Sequence, residues 1–224
     1  MQVRTCAKFI QAPLLALAVG VLAAAAPAGA QAPLDAATIM QRIDQRNPSL
    51  QTFQARVHVH AHMLSFPWLS PNLEGTSYFK RPDNYEVVFD RVPSYAHGID
   101  KLFGDISDPA AWQKDSNITF DGLETIDGHP LLALLMTKKI RSDQIKDTTA
   151  FVDPADYRVV RMEYHYMDGG TITMTQTFKQ QGAYSVIATQ HAEISHRVHA
   201  VADATFGTYQ TNVAVDDSVF TKKK

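Results

Sequence analysis

The chain of 224 residues has a single cysteine, Cys6, and it precedes the apolar run of the N-terminal segment. The rest of the sequence therefore has no thiol for a disulfide bond or a thiolate metal site, and its stability must come from an apolar core. It also has no glycine-rich phosphate loop, no G-x-S-x-G sequence and no C-x-x-C sequence. These absences exclude the nucleotide, hydrolase and thiol-redox motifs and favour a protein that is not an enzyme and has no cofactor.

Long apolar runs and runs of basic residues are also missing. The longest apolar stretch, Ala12 to Ala26, has about fifteen residues, whereas a membrane-spanning helix needs roughly 20. Arg4 and Lys8 precede it, and small-residue cleavage sites end at Ala30 and Ala32. We predict a secretory signal peptide over 1–32, cleaved after either alanine, and one domain over 33–224. The formal charge of -2 does not indicate nucleic-acid binding.

One amphipathic helix opens the predicted domain. In residues 35–47, Ala36, Ile39, Met40 and Ile43 follow the i, i+3, i+4, i+7 spacing of an apolar stripe. Asp35 is a suitable N-cap, and Pro48 is expected to stop the helix.

After this helix the apolar residues alternate with polar ones, which predicts β-strands. The first strand carries Val57 and Val59, and two further strands are marked by Phe79 and by Tyr85 to Phe89, with the sequence KRPDN as the turn between them. Seven more segments are separated by turn dipeptides such as Asp-Gly. These segments are 118–126, 129–136, 149–153, 158–167, 171–178, 184–198 and 205–213.

The pattern predicts a mainly β, α+β fold of about ten antiparallel strands. Residues 93–114 break the strand rhythm and are predicted to form a helical insertion or lid. A sheet with so few helices covers its apolar face by curling around itself or around a helix, which leaves an apolar groove. We expect function to lie in that groove.

Three alternating histidines, His58, His60 and His62, are candidate ligands for a metal ion. His58 and His60 form an H-x-H pair that is able to share one zinc ion, but a third ligand has to come from elsewhere. Because Val57 and Val59 form the apolar face of the strand, the histidines are expected to point outward, away from the groove. We predict no metal site and keep the pair as the metal-binding alternative.

The segment GTSYFKRPDNYEVVF, residues 75–89, resembles the LolA/LolB-like lipoprotein carriers. That family opens with a short helix, continues with an F-x-A strand, here Phe53 to Ala55, and then shows a glycine, K-R-P and an aromatic residue. Gly75, Arg81 and Tyr85 occupy those positions. The segments DGHPLLALLMT, VDPADYRVVRMEYHYMDGG and FGTYQTNVAVDDSVF are also similar, so the resemblance covers nearly all of the predicted domain.

The resemblance implies a strongly curved antiparallel sheet, or incomplete β-barrel, with a helical lid over an apolar cavity. It implies a periplasmic carrier that binds acylated lipoproteins or lipids, with an inner-membrane release complex and an outer-membrane acceptor as partners. The chain has no cysteine after its predicted signal, which favours the soluble carrier branch. A sensing domain of an envelope-stress pathway is the alternative within the same family.

By motif match, Arg81 is expected to bond to the lid and hold the empty cavity closed, and Tyr85 to line the cavity. The loop that contains Phe66, Pro67, Trp68 and Leu69 either folds over the cavity, which we prefer, or touches a membrane or partner. The residues predicted to line the cavity or contact its lid are Ile39, Met40, Ile43, Val57, Val59, Met63, Trp68, Phe79, Arg81, Tyr85, Val87 and Phe89.

Overall fold

Ten antiparallel strands form one open sheet in the computed structural model, which describes residues 34–82, 84–93, 109–140 and 144–221. The predicted signal peptide over 1–32 and most of the predicted insertion, 94–108, lie outside these residues. The strands are β1 Thr52–Met63, β2 Asn72–Lys80, β3 Asn84–Phe89, β4 Ser116–Ile126, β5 His129–Lys138, β6 Ile145–Val152, β7 Val159–Tyr166, β8 Thr171–Gln181, β9 Tyr184–His196 and β10 Val198–Thr211.

The strand order is β3-β2-β1-β10-β9-β8-β7-β6-β5-β4. The chain runs through two meanders, β1 to β3 and β4 to β10, and the pairing of β1 with β10 joins them. Because β3 and β4 form the two edges, the sheet is not closed. This arrangement confirms the predicted mainly β fold with an open, curved sheet.

The first strand shows why the sheet has one apolar face. Val57, Val59 and Ala61 are completely buried, while the intervening His58, His60 and His62 are exposed. Successive side chains of a strand point to opposite faces, so this alternation fixes the register of β1 against β2 and β10. The buried faces of the strands and the first helix form one continuous core.

Two short helices accompany the sheet, α1 over Ala36–Asp44 and α2 over Pro109–Asp115, and a 3-10 turn spans Asp217–Val219. The Asp35 side chain accepts a hydrogen bond from the Thr38 N–H at 2.7 Å, as predicted for an N-cap. α1 buries Ile39, Met40 and Ile43. Neither helix within the described ranges is long and apolar enough to cross a membrane.

Several element ends differ from the prediction. α1 ends at Asp44, three residues before the predicted end, because residues 45–49 turn back toward the sheet. The segment predicted as one strand over 184–198 divides at Arg197, which has a positive φ of 61°, and β10 begins there at Val198. Part of the predicted insertion is helical as expected, namely α2.

Candidate functional site

A cavity of about 910 Å³ lies between the two helices and the inner face of the sheet. It is placed where β1 begins and β2 ends, next to the β2–β3 turn, with α1 on one side and residues Pro109 and Gln113 of α2 on another. Its volume lies in the range of pockets that enclose small organic ligands.

Aromatic side chains form the floor of this cavity around Phe53. The Phe53 ring stacks on Phe79 with centroids 5.3 Å apart and meets Tyr209 edge to face at 5.0 Å. Tyr85 packs at the edge of Phe53 at 6.3 Å. Further apolar wall residues are Met40, Ile43, Leu50, Ile118, Val159, Phe178, Val186 and Ile187. The cavity therefore offers mostly hydrocarbon and aromatic surface to a ligand.

The two tyrosine hydroxyls of this floor have hydrogen-bond partners in the protein. The Ser77 hydroxyl donates to the Tyr85 hydroxyl oxygen at 3.0 Å, and the Tyr209 hydroxyl donates to the Ile187 carbonyl at 2.9 Å. Burial raises the pKa of Tyr209 far above its ordinary value, so this hydroxyl stays neutral. A ligand in the cavity thus meets tyrosines whose polar atoms are already satisfied.

Arg81 joins the β2–β3 turn to the end of α1. Its Nε donates to the Leu50 carbonyl at 2.9 Å, and its Nη2 donates to the carbonyls of Asp44 at 3.2 Å and Asn47 at 3.1 Å. Its Nη1 also bonds the Asp44 carboxylate at 3.0 Å. The Asp44 carbonyl is one that the end of α1 leaves without a helical partner, whereas the Asn47 and Leu50 carbonyls belong to the segment that follows the helix. The predicted bond from Arg81 to a helix is present, and its role as a latch stays a prediction.

Lys139 makes the corresponding contact with α2. Its Nζ donates to the carbonyls of Gln113 at 2.6 Å and Lys114 at 3.0 Å, at the C-terminal end of that helix. A cation at this end of a helix is stabilised by the helix dipole. Each helix that borders the cavity is therefore tied to a strand turn by one basic side chain.

The part of the cavity wall where the segment after α1 meets β9 is more polar. Asn47 donates from Nδ2 to the Ser185 carbonyl at 2.9 Å and accepts from the Ser185 N–H at 3.3 Å, which joins the segment after α1 to the start of β9. Arg46 lies beside this pair, with its Nη2 3.3 Å from the Ser185 hydroxyl. Burial lowers the pKa of Arg46, because a charged guanidinium loses hydration there.

Five of the twelve residues predicted for the site line this cavity: Met40, Ile43, Phe79, Arg81 and Tyr85. Four others, Ile39, Val57, Val59 and Val87, belong to the packed core instead. Met63 and Phe89 are partly buried and also do not line it. The cavity occupies only one end of β1 and β2, so residues further along the apolar faces of these strands are covered by core packing.

The loop between β1 and β2 does not fold over this cavity, which corrects our preferred prediction for Phe66, Pro67, Trp68 and Leu69. Trp68 is 77% exposed, and its ring meets Phe66 edge to face at 5.8 Å. At roughly 3.3 Å per residue, this loop lies about 30 Å along β1 from Phe53. The loop spans residues 64–71, with the Met63 N–H bonded to the Leu69 carbonyl at 3.2 Å, and its Phe66 and Trp68 side chains are exposed.

The alternating histidines lie on the outer face, and their partners are in β2 or in the loop before it. Nδ1 of His58 is 2.5 Å from the Glu74 carboxylate, Nδ1 of His60 is 2.8 Å from the Asn72 amide oxygen, and Nδ1 of His62 is 3.1 Å from the Ser70 hydroxyl. Among residues 34–82, 84–93, 109–140 and 144–221, no three His, Cys, Asp or Glu side chains are grouped to hold a metal ion.

Several cavity residues were missing from the prediction. Phe53 stands in the F-x-A sequence that carried the resemblance, so a signal for it was present. Tyr209 likewise stands in FGTYQTNVAVDDSVF, another segment of the resemblance. Arg46 had no such signal, because its position depends on how the segment after α1 packs against β9.

Solved structures with the same arrangement of strands and helices identify the fold. A DUF1329 family protein from Desulfovibrio piger superposes with a TM-score of 0.63 at 13% identity, over 81% of this chain and 94% of its own. A LolA superfamily protein from Nitrosomonas europaea gives 0.62 at 14% identity, over 84% and 98%. The chain has the LolA-like fold.

The same LolA-like fold occurs in a putative outer membrane lipoprotein-sorting protein domain from Vibrio parahaemolyticus. It superposes with a TM-score of 0.62 at 12% identity, over 82% of this chain and 94% of its own. No family model matches the sequence, and no curated protein matches it. At these identities the likeness shows the fold.

Proposed function

We propose that the protein is a non-enzymatic periplasmic carrier that binds the acyl chains of lipoproteins or lipids and delivers them to an outer-membrane acceptor. The observation that carries this proposal is the cavity of about 910 Å³ with its aromatic floor around Phe53, bordered by two helices and the sheet. In this reading, residues 1–32 direct export, and 33–224 form the one domain that binds the ligand.

An acyl chain that crosses an aqueous compartment has to be shielded from water. Burial of each CH₂ group stabilises the complex by about 0.8 kcal/mol, so a cavity that holds only part of a chain already gives useful affinity. Release must remain feasible at the acceptor. Non-covalent burial meets both requirements, because opening the cavity returns the chain to a competing apolar environment.

The tethers of the two helices are suited to such opening. Arg81 and Lys139 hold the C-terminal ends of α1 and α2 to strand turns through hydrogen bonds. Movement of the α1 end has to break these hydrogen bonds and loosen the packing of Ile43, whereas the hydrogen bonds between the strands of the sheet stay intact. We infer that the helices act as the lid and the sheet as the rigid base.

A substitution at the rim of the cavity tests the proposal. Ala37 lines the cavity from α1 and is itself exposed, so Ala37→Trp should obstruct the opening of the cavity with little effect on folding. We expect its affinity for a fluorescent C16 fatty-acid analogue to fall about tenfold or more. Arg42→Trp is the control, because Arg42 is exposed on the same helix and does not line the cavity.

Two results of this binding experiment would contradict the proposal. If the wild-type protein, purified in its exported form, fails to bind the analogue, the carrier proposal is wrong. Equal binding by wild type and Ala37→Trp, with both proteins folded, would place acyl binding outside this cavity and would also contradict the proposal.

A further inference from the structure

Arg46 is distinguished from the other cations of the cavity wall by how few partners it has. Arg81 uses its guanidinium in four hydrogen bonds, and Lys139 donates to two carbonyls. The Arg46 side chain makes one hydrogen bond, to Ser185, and no ion pair with any of the residues that the structure describes. Most of its N–H donors are therefore open to a ligand.

The Arg46 guanidinium lies over an aromatic face. Its central carbon is 5.1 Å from the centroid of the Phe178 ring, and Arg158 lies over the same ring at 5.2 Å. Arg158 is paired with the Asp156 carboxylate at 2.5 Å. Phe178, which both arginines cover, lines the cavity. Arg158 is neutralised by Asp156, whereas Arg46 makes no direct ion pair with a carboxylate of the described residues.

The charges that face Arg46 agree with this assignment. Burial lowers the pKa of Arg46, and the positive charge of Arg158 lowers it further. The negative charge of Asp156 acts in the opposite direction. The acidic residue of the cavity wall, Asp44, bonds Arg81 at 3.0 Å. A half-buried arginine stays protonated, so it gains most from an anionic group that replaces its lost hydration.

We propose that the cavity takes an acyl ligand with an anionic headgroup, and that Arg46 binds the carboxylate or phosphate oxygens of this headgroup. This inference rests on the proposed acyl-binding function and specifies its ligand class. A guanidinium presents N–H donors in a planar fork that fits two oxygens of one carboxylate or phosphate. The chain of the ligand then lies against the apolar wall next to Phe178, Val186 and Ile187.

Three ligands with the same C12 chain separate headgroup from chain: dodecanoate, dodecyl phosphate and dodecanol. Their affinities are measured on the exported full-length product by displacement of N-phenyl-1-naphthylamine, an uncharged probe. We expect the wild type to bind an anionic ligand about tenfold or more tightly than dodecanol, since hydrogen bonds to charged groups give that difference. The dodecanoate and dodecyl phosphate arms show whether a fatty acid or a phospholipid-type headgroup is preferred.

Arg46→Gln should remove this preference, so that the anionic ligands bind no more than about twofold more tightly than dodecanol. Arg46→Lys keeps the charge without the fork and should retain part of the preference, which high salt then weakens. Arg42→Gln is the control, because Arg42 belongs to the same helix region, is exposed and does not line the cavity.

The outcomes distinguish the two proposals. Equal binding of all three ligands by the wild type overturns the headgroup inference and leaves the acyl carrier intact. A preference that persists in folded Arg46→Gln assigns the headgroup to another residue and also overturns it. Failure of all three ligands to bind overturns the carrier function itself.

Discussion

Arg81 and Asp44 are joined twice: Nη1 of Arg81 lies 3.0 Å from the Asp44 carboxylate, and Nη2 lies 3.2 Å from the carbonyl oxygen of the same residue. Asp44 is the last residue of α1, and Arg81 belongs to the β2–β3 turn. One arginine therefore fixes the end of the helix that borders the cavity.

Replacing Arg81 by lysine should loosen this helix end. Lysine keeps the charge but lacks the fork that reaches Leu50, Asp44 and Asn47 together, so we expect the free energy of unfolding to fall by about 1–3 kcal/mol and ligand to enter faster. Urea unfolding and stopped-flow binding measure the two effects. Arg56→Lys, an exposed arginine paired with Asp90, is the control, and unchanged entry kinetics in Arg81→Lys would contradict the latch.

Gly75 should not tolerate a side chain. A Cβ at this position would lie 2.7 Å from the Val88 carbonyl oxygen and 3.0 Å from the Phe89 Cα on the neighbouring strand, and backbone atoms cannot move aside cheaply. We expect Gly75→Ala to destabilise the protein by about 1–3 kcal/mol in urea unfolding.

Gly207→Ala is the matched control for Gly75, because its Cβ would meet nothing closer than 3.5 Å. Equal stability of the two alanine variants would show that β2 and β3 do not approach each other as closely as described.

The exposed loop at Trp68 should be independent of the cavity. We expect Trp68→Ala to bind acyl ligands within about twofold of wild type, since the loop lies at the far end of β1. Trp112 of α2 is buried, so in Trp68→Ala its fluorescence becomes a reporter of ligand near that helix. A large loss of acyl affinity in Trp68→Ala would restore the prediction that this loop covers the cavity.

Acid should destabilise the fold through its paired carboxylates. The Thr38 N–H lowers the pKa of Asp35, the Arg56 side chain lowers that of Asp90, and the Gly170 N–H lowers that of Asp168, each from an ordinary value of 3.8. A carboxylate with a depressed folded-state pKa contributes stability that is present above 3.8 and is lost as the pH falls through the folded-state value.

The urea midpoint should therefore decline as the pH falls below about 4. Asp35→Asn keeps an N-cap acceptor without a titrating group, so its midpoint should decline less steeply over this range than that of the wild type. A wild-type midpoint that is constant from pH 5 down to pH 2 would contradict the assignment.

The repeating features of the fold were predictable from the sequence. The spacing of Ile39, Met40 and Ile43 predicted α1, and the alternation through Val57 and Val59 predicted both a strand and its buried face. Helical spacing and strand alternation are both repeating patterns, which is why the sequence alone reveals them. The end of β9 had no such signal, because Arg197 adopts a positive φ without a glycine.

The location of the cavity was harder to predict. Alternation assigns a side chain to a face but not to a place along the strand, so Val57 and Phe79 looked equivalent although only Phe79 lines the cavity. The position of the cavity under α1 depends on contacts between distant segments, such as that of Asn47 with Ser185. Pattern analysis of one sequence does not report such contacts.

The most direct test of the central claim is native mass spectrometry of the protein purified from the periplasm, with lipid extraction and metal analysis of the same sample. The account predicts a fraction of molecules whose excess mass matches an acyl compound found in the extract, without stoichiometric metal, and loss of that fraction in Ala37→Trp. Protein that carries stoichiometric zinc or copper and no acyl compound would contradict it.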